Sequence, residues 1–257
     1  MRYFLRLAYK GTNYHGWQRQ PHSTSVQQTI EEALGTIINR PIGILGCGRT
    51  DTGVHASDYV AHVDMEEKLP DNLLRRLNRM LPDDIAVFSI TAAGLSIARP
   101  GEAAHARFDA TQRAYRYDII AQKDPFRQNT AWHYHGFADL NVSAMQAAAT
   151  ALLEYAEFAP FCKTKSDAKT MRCDVRRAEW IALPAWPNAS TLHFHIAADR
   201  FLRGMVRLIV GACVQVGLGQ LEVADIHHAL QKQQPLIKPL SVPPDGLFLA
   251  EVRYPTG

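Results

Sequence analysis

The sequence predicts an α+β protein, and three observations predict it. Stretches whose apolar residues recur every second position, at 2–9, 59–63, 85–90, 112–120 and 192–197, are interleaved with stretches at helical spacing. Both halves of the chain run through a strand, a helix and returning strands in similar order, although no sequence repeat is visible. At 257 residues and 47% hydrophobic, the chain can bury a full core as one large domain or two small ones. Helices over one face of a mostly antiparallel sheet satisfy all three.

In the first half, Arg2 to Tyr9 alternates as a strand, and Gly11-Thr12-Asn13-Tyr14 breaks it with turn residues. The polar and aromatic run His15-Gly16-Trp17-Gln18-Arg19-Gln20 follows, read either as an exposed turn or as a loop reaching toward RNA, where flat rings stack on bases. Ser25 is placed to cap a helix carrying Val26, Ile30, Ala33, Leu34, Ile37 and Ile38. A short apolar strand at 42–45 leads into Gly48-Arg49-Thr50-Asp51-Thr52-Gly53-Val54-His55-Ala56, and a second strand follows through Tyr59, Ala61 and Val63. Pro70 and Asp71 open a helix through Met80, and Leu81-Pro82 closes it before the strand at 85–90. The segment 92–103, with Gly94, Pro100 and Gly101, reads as a flexible linker at the midpoint, which divides the chain into 1–103 and 104–257.

In the second half, His105-Ala106-Arg107-Phe108 precedes the strand 112–120, where Arg113, Tyr115 and Tyr117 project to one face and Arg116 and Asp118 to the other. Residues 142–155 have helical character and lead to the Phe158 to Cys162 segment; 163–169 reads as polar loop. Arg172 and Arg176 precede a strand running to Leu183, and a further strand covers 192–197. His193 and His195 share a face of it without a third ligand, which favours packed or surface imidazoles over a metal site. From Phe201 to Gly217 the chain reads as a helix apolar nearly all round, with Arg203 and Arg207 four residues apart. A buried guanidinium needs a carboxylate partner. Pro243-Pro244-x-Gly246-Leu247 and a final alternating strand to Tyr254 close the chain.

Composition narrows the function. No run approaches the roughly 20 apolar residues of a membrane span, and residues 1–10 lack the apolar core of a signal peptide, so the cytoplasm is the expected compartment. Cys47, Cys162, Cys173 and Cys213 have no C-x-x-C spacing and are expected to be reduced core thiols. No metal and no cofactor are expected, because neither a zinc-ligand spacing nor a phosphate-cradling loop is present. A net charge of +3 and an isoelectric point near 8.7 permit a nucleic-acid partner without demanding one. Two basic clusters stand out, Arg75, Arg76 and Arg79 on a short helix and Arg172, Arg176 and Arg177 on a loop-to-strand passage; each is a solvated face or an RNA contact.

The glycine-rich stretch around Asp51 is where the sequence turns from core to chemistry. On the residues alone it is either a connection whose Asp and Arg satisfy turn amides, or a loop holding a charged catalytic group at a cleft. Its G-R-T-D-x-G-V-H pattern resembles the signature of the tRNA pseudouridine synthase A family. The G-W-Q, H-A-R-F-x-A, R-x-Y-x-Y, M-V-R and P-P-x-G-L stretches also match, so the resemblance covers nearly the whole chain; Ala104 stands where the family often has an aromatic residue. The resemblance implies two ferredoxin-like halves forming one continuous sheet with a central active-site cleft. It implies that Asp51 is the catalytic aspartate, that Arg49 helps hold it or fills the space of a turned-out base, that Tyr115 stacks on the target uracil and can accept a proton, and that Arg207 pairs with Asp51. Substrate contacts are expected at Tyr115, Trp17, Gln18, His55, Arg76, Arg79 and Arg172. The implied substrate is uridine at positions 38 to 40 of the tRNA anticodon stem-loop, and the implied working unit is a homodimer, with no other protein partner.

That reaction breaks the glycosidic bond, turns the base and rejoins it through carbon 5. A carboxylate promotes it by adding to carbon 6 of the base, by attacking carbon 1′ of the sugar, or by removing a proton from carbon 2′. All three need Asp51 ionised, which a neighbouring arginine favours. Two other classes compete: an inert RNA-binding protein of the same fold, against which Asp51, Tyr115 and Arg207 argue, and a carboxylate-dependent nucleoside hydrolase. The second usually needs another carboxylate at the site, and none accompanies Asp51 in its loop.

Overall fold

The structure is a computed structural model that describes residues 1–163, 169–183 and 190–255. In chain order its elements are β1 (Arg2–Tyr9), α1 (Val26–Ile38), β2 (Ile44–Gly46), β3 (His55–Asp64), α2 (Leu73–Met80), β4 (Ile85–Ala92), β5 (Gln112–Ile120), β6 (Trp132–His133), α3 (Val142–Ala151), β7 (Val175–Leu183), β8 (Thr191–Ala198), α4 (Met205–Gly217), α5 (Val223–Lys232) and β9 (Leu247–Arg253). The mixed α and β composition and the mostly antiparallel pairing agree with the sequence reading. The polar loop expected at 163–169 lies almost wholly outside the described residues.

Two compact units emerge. The first comprises Met1–Gln112 and the C-terminal segment from Phe248 onward; the second is Arg113–Leu247. The expected division at 103 therefore differs from the compact units, which part at Gln112 and return the last strand to the first.

In the first unit β1 runs antiparallel to both β3 and β4, β2 is antiparallel to β3, and β9 adds a short parallel pairing at His55 and Ala56. The spatial order β4-β1-β3-β2 follows. Alternation places Leu5 and Leu7 on the face shared by Ala61 and Tyr59, and Phe4 and Arg6 on the face shared by His62 and Val60. The apolar face is fully buried at Leu5, Leu7 and Tyr59. Ser25 caps α1 as its sequence position predicts, its Oγ accepting from the Gln28 amide at 3.2 Å. On the other face Arg6 makes a two-pronged ion pair with the buried Asp58, at 2.7 and 2.9 Å.

The segment 92–103 is not a slack linker. Buried Asp109 gathers it, accepting from Ser96 Oγ at 2.8 Å, from Arg99 Nη2 at 2.9 Å and from the His105 amide at 2.6 Å. Arg99 and these bonds hold the Asp109 carboxyl down to about 2.

In the second unit β8 lies between β5 and β7, antiparallel to both, and β6 adds parallel to β5. Asp118 on β5 is buried and receives Arg116 at 2.8 Å, Arg127 at 2.9 Å and the His193 ring at 3.5 Å. His193 and His195 are therefore half-buried ladder residues, both with pKa values lowered chiefly by burial. The helix expected from Phe201 begins only at Met205, because Gly204 takes φ +69°, a left-handed conformation that favours glycine. Arg203 consequently lies before α4 and does not share a helical face with Arg207.

Candidate active site

Asp51 sits on the loop between β2 and β3, and this loop is clamped from several directions. Its own turn closes where the Val54 amide donates to the Asp51 carbonyl oxygen at 3.1 Å, and the Gly53 amide donates to the Tyr14 carbonyl oxygen at 3.2 Å. Thr50, one residue before Asp51, is held twice: its Oγ1 shares a hydrogen bond with the Tyr9 hydroxyl at 2.9 Å, and its carbonyl oxygen accepts from the Trp17 amide at 3.4 Å. Farther back, the Tyr59 hydroxyl donates to the Gly48 carbonyl oxygen. The rings behind these bonds form one cluster, with Trp17 stacked on Tyr59 at 4.0 Å and Tyr9 packed against both. Gly16 is required here: it has φ +85°, and a Cβ would lie 2.3 Å from the Thr50 carbonyl oxygen. Asp51 is left half-buried and Arg49 exposed, two positions apart on a loop whose backbone is fixed.

This geometry buries two of the residues expected to contact substrate. Trp17 is 2% exposed and spends its ring on Tyr59, so it supports the loop from beneath and offers no face to an RNA base. His55 is wholly buried, its Nδ1 accepting from the Gly11 amide at 2.9 Å and its ring packed on Phe248 at 4.7 Å. Gln18 beside Trp17 does remain exposed. Arg75, Arg76 and Arg79 are exposed on α2, and none forms an ion pair among the described residues.

The second unit holds the other predicted site residues on regular elements. Tyr115 lies in the β5 ladder opposite Ile196, half-buried, with Phe201 packed edge-on at 5.0 Å and 87°. Tyr117, two residues on, is the fully buried tyrosine of the pair. Its hydroxyl donates to the Pro243 carbonyl oxygen at 2.8 Å, and burial raises its pKa. Arg207 stands on α4, half-buried, with Nε donating to the Val242 carbonyl oxygen at 2.6 Å while the Val242 amide donates back to the Arg207 carbonyl oxygen at 3.3 Å. It is near enough to Tyr117 to oppose the rise in that hydroxyl's pKa. The adjacent residues Val242 and Pro243 thus brace Arg207 and Tyr117 in turn. Arg172 is exposed, whereas Arg176 and Arg177 pair with Asp174 and Glu179.

Asp51 and Arg49 belong to the first unit, Tyr115 and Arg207 to the second. Tyr9, Thr50 and Tyr59 are the residues that sequence reasoning missed: each looks like an ordinary strand or loop residue, and only the fold brings them to the loop. Among the described residues no cluster of three or more His, Cys, Asp or Glu side chains is placed to hold a metal ion, and no helix is long and apolar enough to cross a membrane.

A family model described as tRNA pseudouridine synthase matches residues 7–100 and 148–255. Among curated proteins, a tRNA pseudouridine synthase A of Bacteroides thetaiotaomicron is 43% identical over 255 residues, covering 99% of this chain and 91% of that relative. The protein of the same name from Porphyromonas gingivalis is 41% identical over 258 residues, with 99% and 98% covered. That of Bacteroides fragilis is 43% identical over 256 residues, with 99% and 96% covered.

Proposed function

The chain belongs to the tRNA pseudouridine synthase family, and we propose that it converts uridine to pseudouridine at positions 38 to 40 of the tRNA anticodon stem-loop, with Asp51 as the catalytic carboxylate. The observation that carries the reading is the loop itself. A carboxylate on a flexible tether attacks at random angles, whereas one on a backbone fixed by Thr50, Gly48 and Gly53 presents the same atom to every substrate. Each of the three chemical routes uses that atom ionised, as nucleophile or as base.

In this reading Tyr115 stacks on the target uracil, Arg207 keeps Asp51 charged, and Arg49 holds Asp51 or fills the space of a uridine turned out of its stem. These assignments rest on the motifs that contain them. The exposed Gln18, Arg76, Arg79 and Arg172 contribute contacts along the RNA backbone. Each unit is read as a ferredoxin-like half, a reading supported in the first by its β-α-β-β-α-β order. The protein works in the cytoplasm, without cofactor, as a homodimer whose subunits share one tRNA; a solution mass of one chain at working concentration would remove that last part.

The test is to map pseudouridine in tRNA after incubation with the purified protein and with Asp51→Asn. The amide keeps the shape of the side chain but can neither attack nor carry the charge, so turnover should disappear while tRNA binding persists. Turnover near wild type in Asp51→Asn would overturn the assignment.

A further inference from the structure

The reaction leaves His105-Ala106-Arg107-Phe108 without a task, and the structure gives these residues a definite form. They lie over the sheet face that carries Phe4 and His62. The Ala106 amide donates to His62 Nδ1 at 3.2 Å, and the Tyr254 hydroxyl donates to the Ala106 carbonyl oxygen at 2.6 Å. Asp109 anchors the same segment from within through Ser96, Arg99 and the His105 amide.

On this anchored base three rings are arranged in series. His62 is buried and meets His105 edge-on at 4.5 Å and 69°. His105 then stacks on Phe108 at 4.3 Å and 30°. His105 is locked in turn, because its Nδ1 accepts from both the Arg107 and the Phe108 amides, at 3.0 and 3.3 Å. The outermost ring, Phe108, is 65% exposed, and the Arg107 guanidinium stands 5.7 Å from its centroid. A phenylalanine so exposed is ordinarily free to swing. Here one face is backed by another ring, so the plane is set before anything binds.

An ordinary apolar contact with protein does not need a preset plane, whereas a nucleobase does, and a cation held over the ring suits the phosphate that accompanies a base. We propose that Phe108, backed by His105 and flanked by Arg107, is a stacking seat for an unpaired base of the bound tRNA, separate from the Asp51 loop. The proposal rests on the reading of tRNA as substrate.

The test compares wild type, Phe108→Ala and Phe108→Trp as full chains, measuring affinity for an unmodified tRNA transcript at fixed salt, together with thermal stability and solution mass. Loss of a base stack corresponds to a weakening of about 5- to 100-fold in Phe108→Ala. Phe108→Trp should restore binding, since a larger ring stacks at least as well. Melting temperature and mass should match wild type throughout. Wild-type affinity in Phe108→Ala would overturn the seat, and so would a weakening accompanied by a fall in mass, which marks a surface for a second copy, or by a fall in melting temperature, which marks a structural ring. If wild type itself neither bound tRNA nor formed pseudouridine, the substrate reading would fall and the seat with it; wild-type activity with an unaffected Phe108→Ala removes the seat alone.

Discussion

The two units hold their predicted site residues by different means. In the first, Asp51 and Arg49 sit on a loop with no ladder of its own, and the loop keeps its shape because side chains from elsewhere reach in to it: Tyr9 to Thr50, Tyr59 to Gly48. In the second, Tyr115 is one rung of a strand paired along its length with β8, and Arg207 is one position in a 13-residue helix that is buried at most of its positions. A ladder or a helix positions a residue as a by-product of folding. A loop needs dedicated clamps, and a clamp can be lost while the core stays intact. Changes beside the Asp51 loop should therefore separate activity from stability, and changes beside Arg207 should move the two together.

The largest contrast is expected between two glycine replacements. In Gly16→Ala a methyl would sit 2.3 Å from the Thr50 carbonyl oxygen at a backbone angle unfavourable to alanine, so the loop must shift. A displacement of about 1 Å at a reacting group costs on the order of 100-fold in rate. In Gly211→Ala the new methyl would lie 1.9 Å from the Leu240 carbonyl oxygen, forcing α4 away from the segment that leads to Val242, the hydrogen-bond partner of Arg207. Overpacking of that kind costs about 1–3 kcal/mol. Single-turnover rates and melting curves on both variants check the pair. Activity and stability falling in the same proportion in both would erase the distinction between clamped loop and packed helix.

A smaller change sharpens the same point. Tyr9→Phe keeps the ring that packs on Trp17 and Tyr59 and deletes only the hydroxyl that bonds Thr50. One hydrogen bond contributes about 1 kcal/mol to stability, so the melting temperature should move little. Turnover should fall by roughly 10-fold if that bond is what keeps the residue before Asp51 in place. Wild-type turnover in Tyr9→Phe would show that the remaining clamps, the Tyr59 hydroxyl among them, suffice.

How much of this was legible in the sequence follows the same line. Most long elements with a clear period were readable, β1 and α1 to the residue, because the pattern that predicts them is the pattern that packs them; the ten-residue α5 was not anticipated, although it buries Ile226, Ala229 and Leu230 at helical spacing. The apolar strand expected at 42–45 begins two residues later and ends one residue later, as β2, since three residues carry almost no period. The start of α4 depended on the backbone angle of one glycine, to which an apolar run is blind. Trp17 and His55 looked like exposed recognition residues because sequence tells residue type and not facing. The segment 92–103 looked slack because Ser96 and Arg99 are tied down by Asp109, at least ten residues away. Asp51 itself was legible only through its motif, and its clamps, drawn from three separate stretches, were not legible at all.

The smallest expected effect concerns acid. His62, on the second face of the first unit's sheet, is buried, accepts from the Ala106 amide through Nδ1, and leaves Nε2 without a hydrogen-bond partner among the described residues. Burial first, and the Arg2 guanidinium second, push its pKa down from 6.5 to about 4. Between these values the unfolded chain binds a proton at this position and the folded chain does not, so stability falls as pH is lowered through that window, is fully present above about 6.5, and loses nothing more from this group below about 4. In the second unit His193 and His195 are also shifted downward by burial, less far than His62, with Asp118 acting against the shift at His193. Acid should consequently loosen the first unit before the second, beginning where Ala106 and His105 rest on His62. Hydrogen-exchange protection at 104–109 should decline between pH 6.5 and 4 while that of β8 changes less. His62→Gln, which can still accept from the Ala106 amide but cannot titrate, should flatten the decline. An equal decline in that variant would place the acid sensitivity on another group.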